Sequence, residues 1–140
     1  MDWQPAAFVD LNLNADLFRT TQTAPLAGAD LRQSLSSAVT KASIMLTPTK
    51  TDTLQILWLD FGRQLRADGF SSNAPFTNIS FSHTLSPKLK LVVTDNDAFH
   101  TQRVRQHTAT AQYASFDELK LPGRIFYVGL AYKLGAVKAG

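Results

Sequence analysis

The chain contains no cysteine, which excludes a disulfide framework, a thiolate nucleophile and a cysteine-ligated metal. Charged residues are scarce, at 18% of 140, and the apolar share is 44%. That composition is too apolar and too weakly charged for a disordered tail. No run approaches the roughly 18 consecutive apolar residues of a membrane-spanning helix. Even the stretch from Leu54 to Leu59 is broken by Gln55. This absence excludes spanning helices but leaves spanning strands open, because strands alternate and bulk hydropathy averages them away. The start, Met1-Asp2-Trp3-Gln4-Pro5, lacks the basic and apolar regions of a signal peptide. If the chain is exported, its signal lies elsewhere or has been removed. Neither charge sign dominates: 14 basic and 11 acidic residues leave +3. The basic residues are scattered from Arg19 to Lys138, which reads as a solvated surface rather than a polyanion footprint. The one concentration is Arg103 and Arg105, between His100 and His107.

What the sequence has in abundance is alternation. Over residues 8–18, Val9, Leu11, Leu13, Ala15 and Leu17 fall on one face, and Asp10, Asn12, Asn14 and Asp16 on the other. Period two over that length is a strand with one apolar and one polar side. Residues 20–34, punctuated by Pro25 and Gly28, read as a loop. Residues 36–47 fit either a short helix or a strand. The strand is preferred, because the compact polar turn 48–52 and the β-rich run 53–61 complete a hairpin. Residues 66–75 read as a polar loop, 76–85 as a strand, 86–88 as a tight turn and 90–94 as a fifth strand. Residues 95–123 are polar and poorly patterned, and 124–134 read as the last strand. The expectation is therefore an all-β, antiparallel up-and-down meander of about six strands. Short turns lie at one end and long loops at the other, as in outer-membrane barrels.

Alternation fixes two faces without saying which meets which solvent. Three features favour lipid on the apolar side. The polar faces are rich in Asn, Ser, Thr and Gln rather than Lys and Glu. Strands of roughly 10–14 residues suit a tilted span of a ~30 Å hydrocarbon layer. Aromatics (Phe8, Phe18, Phe76, Phe126, Tyr132) gather toward strand ends, as an interfacial girdle requires, and Trp58 fits the same belt. The competing reading is a soluble antiparallel barrel or sandwich that holds a small apolar ligand.

The last strand carries a resemblance. Residues 123–134, with Tyr127, Gly129, Tyr132 and Leu134 in a polar-or-aromatic, glycine, hydrophobic, hydrophobic pattern, resemble the closing strand of TonB-dependent receptors and related outer-membrane β-barrels. Residues 51–56 and 85–91 resemble the periplasmic hairpins of that family. Residues 97–103 resemble the polar segment that follows its penultimate strand. The resemblance implies an outer-membrane location in a Gram-negative bacterium. It implies a barrel-assembly signal at Tyr127, Gly129, Tyr132 and Leu134. It also implies a complete parent that takes up a siderophore or another scarce nutrient with energy from a TonB-type transducer. Six strands are fewer than the eight of the smallest membrane barrels. Residues 1–134 are therefore expected to be the C-terminal part of a barrel, and 135–140 a short extension. The partners expected are outer-membrane lipid and the remaining strands and plug of a parent, or further copies of the chain.

Little else points to chemistry. Asp95, Asp97, His100 and His107 offer oxygen and nitrogen ligands suited to a divalent metal, but a solvated polar loop explains them as well, and no metal is expected. Asp10 and Asp16 lie about 20 Å apart along one strand, too far for paired acid–base work, and read as lumen lining. His100, Arg103 and Arg105 are candidate contacts for an anionic ligand or lipid phosphate in an external loop. No nucleophile elbow and no glycine-rich phosphate loop occur, so no enzyme and no cofactor are expected. Aromatics and cations do not interleave along any single strand, so no nucleic acid is expected either.

Overall fold

A computed structural model describes residues 2–6, 8–26, 29–109 and 113–134. All eleven elements are strands: β1 (Asp2–Ala6), β2 (Val9–Leu26), β3 (Ala29–Leu46), β4 (Asp52–Asp60), β5 (Arg63–Arg66), β6 (Gly69–Asn73), β7 (Phe76–Ser86), β8 (Leu89–Asn96), β9 (Arg103–Ala109), β10 (Ala114–Lys120) and β11 (Ile125–Tyr132). Seven form one sheet in the order β1-β2-β3-β4-β7-β8-β11, and four form a second in the order β10-β9-β6-β5. Every pairing is antiparallel. The large sheet is open, with β1 and β11 at its edges. The all-β antiparallel meander expected from the sequence is present, and its six strands are β2, β3, β4, β7, β8 and β11. The expected C-terminal extension, 135–140, lies outside the described residues.

The two ends of the large sheet differ. At one end β3 meets β4 and β7 meets β8 through short turns. Thr49 Oγ1 closes the first by accepting the N–H groups of Thr51 and Asp52 at 3.2 and 3.0 Å. At the other end the chain leaves the sheet twice, and the hairpins β5–β6 and β9–β10 pair into the second sheet through β6 and β9. Gly62 makes the first departure. Its φ of +60° suits glycine, and a Cβ there would lie 2.1 Å from the Ala38 carbonyl oxygen. Asp60 Oδ1 accepts the Gly62 N–H at 2.8 Å, and Ser37 Oγ accepts the Arg63 N–H at 2.8 Å. Residues 62–64 thus turn away from β4.

Three stretches expected as loops or as unpatterned contain paired strand. Residues 20–34 extend β2 and β3 into one ladder that runs from Val9↔Leu46 to Leu26↔Ala29. Thr20, Thr21 and Thr23 favour strand as β-branched residues, yet polar groups on both faces hide the alternation. Residues 95–123 contain β9 and β10, and residues 66–75 contain β6. These strands carry polar side chains on both faces, so period two has nothing to report.

Register assigns every strand residue to a side, since partners across an antiparallel pair share one. One row runs Leu11↔Ile44↔Ile56↔Ile79↔Asp95↔Phe126, and the next Val9↔Leu46↔Leu54↔Phe81↔Val93↔Val128. A third runs Asp52↔His83↔Leu91↔Leu130. The intervening rows on the other side run Asp10↔Met45↔Gln55↔Ser80↔Thr94↔Tyr127 and Thr53↔Ser82↔Val92↔Gly129. One side is a continuous apolar surface across six strands. The other is mainly hydroxyl, amide and charge.

Candidate functional site

The apolar side has no cover within the chain. Among the described residues no hydrophobic side chain is buried, and the buried residues are Ser71, Thr77, Ser82, Asp95 and Asp97. Val128 is 73% exposed, Leu130 68% and Leu17 84%. Fully burying one such side chain stabilises by about 1.5–3 kcal/mol. Leu54, Ile56, Ile79, Phe81, Val93, Phe126, Val128 and Leu130 in water would therefore forfeit on the order of 10 kcal/mol even at half exposure. That loss rivals the whole net stability of a typical domain, about 5–15 kcal/mol. Such a face demands an apolar partner.

Charge frames this surface at both ends. On β4 the apolar residues Leu54, Ile56 and Trp58 alternate between Asp52 and Asp60, nine residues inclusive. A tilted membrane strand needs about 9–11. At the turn end Asp52 Oδ1 meets His83 Nδ1 at 2.6 Å. At the loop end Arg124 grips Asp95 with Nε at 2.8 and 3.0 Å and Nη2 at 2.6 Å. The Arg124 guanidinium carbon also sits 4.5 Å over the Phe126 ring. Neither pair has a sequence signal: the partners are 31 and 29 residues apart.

On the polar side a groove of about 510 Å³ opens between β2, β3 and β4, lined by Asp10, Asn12, Lys41, Ser43, Met45, Gln55 and Leu57. All seven lie on that side by register. A second, of about 150 Å³, is lined in part by Phe76, Asn78, Asn96 and Ile125, which share that side. The apolar face is the opposite one. Phe126, Tyr132 and Trp58 stand on it, as a girdle requires. Phe18 and Phe76 do not: register puts Phe18 opposite Ser37 and Phe76 opposite Leu59, on the polar side.

The edge strand β11 and the residues after it divide the four singled-out residues between the faces. Tyr127 and Gly129 lie on the polar side opposite Thr94 and Val92, and Tyr132 on the apolar side opposite Leu89. Leu134 follows β11 and is exposed. A Cβ at Gly129 would meet nothing within 4 Å, so nothing inside the chain requires glycine there.

The second sheet gathers Arg103 and Arg105 but not His100. Both arginines share one face of β9 with His107. Phe70 and Phe116 stand opposite His107, and Glu118 opposite Arg105. Arg105 Nε donates to Glu118 Oε2 at 2.8 Å, and this bond holds the Glu118 carboxyl below its ordinary range. Arg103 Nε is buried without a hydrogen-bond partner. Pairing across strands thus brings aromatics beside cations, which no single strand revealed. Their ring faces are spent on one another: Phe70 stacks on His107 at 4.5 Å, His107 meets Phe116 at 4.7 Å, and Arg63 covers Phe70 at 5.2 Å. His100, at φ 55°, packs its ring over Gly123, where a Cβ would lie 2.1 Å from His100 Cε1.

Asp97 holds this corner together. At φ 51° and 4% exposed, it accepts the Thr101 N–H at 2.9 Å and the Gln102 N–H at 3.0 Å. Burial pushes its carboxyl up, but the Gln102 and Thr101 donors outweigh that and hold it below the ordinary 3.8. Asp97 is thus a turn organiser. Asp95 is occupied by Arg124 and His107 by its ring stack, so the four residues considered for a metal are not brought together. Among the described residues no group of three or more His, Asp or Glu is placed to hold an ion.

Comparison of the chain with protein-family models, with curated proteins and with solved structures gives no match.

Proposed function

We propose that the chain is part of the wall of an outer-membrane β-barrel of the TonB-dependent receptor type, with β11 as its closing strand. The observation that carries this reading is the segregation of polarity in the large sheet: one face apolar and uncovered, the other polar, no hydrophobic residue buried among those described. A soluble barrel or sandwich would bury that apolar face in a core of its own. The charge-framed band on β4, short turns at one end and long hairpins at the other support the same reading. The apolar face meets lipid, the polar face lines a lumen, and the second sheet stands at the external end. Energised uptake of a siderophore or other nutrient belongs to the complete parent, with its further strands, plug and TonB-type transducer. Tyr127, Gly129, Tyr132 and Leu134 serve as the assembly signal.

The test is refolding with and without detergent. The expected result is aggregation in plain buffer and a β-rich, heat-modifiable species in micelles. A monomer that stays soluble and melts cooperatively without lipid would overturn the reading in favour of the soluble, ligand-holding sheet.

A further inference from the structure

Above the apolar band, the same side of β2 and β3 changes character abruptly. Leu17↔Ala38 is its last apolar pair; the next pairs on that side are Arg19↔Ser36, Thr21↔Ser34 and Thr23↔Arg32. All six of these residues are exposed. Arg19 leans along the ribbon, its Nη2 donating to Ser34 Oγ at 3.1 Å. Arg32 lies two residues before Ser34 on the same side, about 7 Å along the strand. Two arginines therefore share one side of the ribbon with Ser34, Ser36, Thr21 and Thr23. Among the described residues neither meets a carboxylate: the ion pairs engage Asp52, Glu118 and Asp95 with other cations.

A surface that is cationic and hydroxyl-rich directly above an unbroken apolar strip matches a molecule with an anionic head and apolar tails. We infer that Arg19 and Arg32, with Ser34, form a headgroup site for a phosphate-bearing lipid, whose acyl chains run down over Leu17, Leu13 and Ile44. Guanidinium groups bind phosphate oxygens bidentately and stay charged at any working pH, and each cation near a membrane surface adds to such attraction. Lipid is favoured over a free anion because the apolar strip begins one pair below Arg19. The inference rests on the wall reading, and it places a preference for phosphate-bearing lipid at the external rim.

The full chain is refolded in neutral detergent micelles and offered equal amounts of phosphatidic acid and phosphatidylcholine. Retained lipid is read by native mass spectrometry, and folding separately by heat-modifiable migration. The wild type should retain phosphatidic acid in roughly tenfold preference. The double variant Arg19→Gln/Arg32→Gln should fold alike and retain the two lipids equally. Lys50→Gln/Lys88→Gln, which removes cations from the opposite rim, should keep the preference. Equal retention by the folded wild type, or a preference that survives in Arg19→Gln/Arg32→Gln, would overturn the site and leave the wall reading standing. Displacement by inorganic phosphate as readily as by phosphatidic acid would assign the site to a free anion and overturn the lipid. Failure of the wild type to fold in micelles would overturn both.

Discussion

Gly62 and Gly129 occupy opposite situations, and the same substitution separates them. At Gly62 a methyl group meets the Ala38 carbonyl in a left-handed backbone, so Gly62→Ala should destabilise by about 1–3 kcal/mol, read by urea unfolding in micelles. At Gly129 the methyl group enters open space, so Gly129→Ala should leave stability within about 0.5 kcal/mol. If Gly129→Ala in a complete parent lowers outer-membrane levels while stability stands, the glycine is read by something outside the chain. Unchanged levels would count against the assembly signal. Asp97 makes a third test. Its folded carboxyl titrates below 3.8, so its contribution is full above the ordinary value and is lost as pH falls through the lowered one. The protection of the Thr101 and Gln102 amides, measured relative to their intrinsic exchange rates, should therefore fall on acidification below about pH 4. Asp97→Asn should abolish that dependence. The acidic and histidine residues of 95–107 suggested metal ligands, whereas a carboxylate in a left-handed turn was a capping group. Sequence spacing could not distinguish these uses, because the distinction lies in which N–H groups the backbone aims at it.

At the scale of the strand, the two faces of the large sheet make opposite predictions. Leu130 stands on the apolar side and is 68% exposed; Ser80 stands on the polar side beside Thr94, at 3.0 Å. In lipid, Leu130→Arg should cost about 2–4 kcal/mol, whereas Ser80→Arg in an aqueous lumen should cost far less. Equal tolerance of both in micelles would contradict the face assignment. Six of the seven large-sheet strands, all but β1, were legible because each has one apolar face, and Leu54, Ile56 and Trp58 announce theirs plainly. Strands β5, β6, β9 and β10 were not, because residues such as Arg103, Gln106 and Thr108 are half-exposed whichever way they point. Their order is set by pairings between segments more than 30 residues apart, such as Phe70↔His107, and local pattern carries no trace of those. The ring stack at His107 and the grip of Arg124 on Asp95 were hidden for the same reason.

For the whole molecule, the open sheet and the uncovered apolar face are one fact. The edge strand β11 is exposed along its full length, and unpaired edges recruit further strands. In micelles the chain should therefore self-associate, and cross-linking should join β11 to a neighbouring copy or, in a parent, to its first strand. Length alone suggests a single self-sufficient domain, but a sheet with no buried hydrophobic residue among those described leaves its apolar face to be covered from outside the chain. The missing cysteine, which excluded so much chemistry, also gives a background-free chain for labelling. The most direct test of the central claim is a nitroxide scan of single cysteines through Thr53 to Trp58 in lipid vesicles, read by collision with oxygen and with a water-soluble nickel chelate. Labels at positions 54, 56 and 58 should collide with oxygen, and those at 53, 55 and 57 with nickel. A reversed phase, or equal access to nickel at all six positions, would contradict the account.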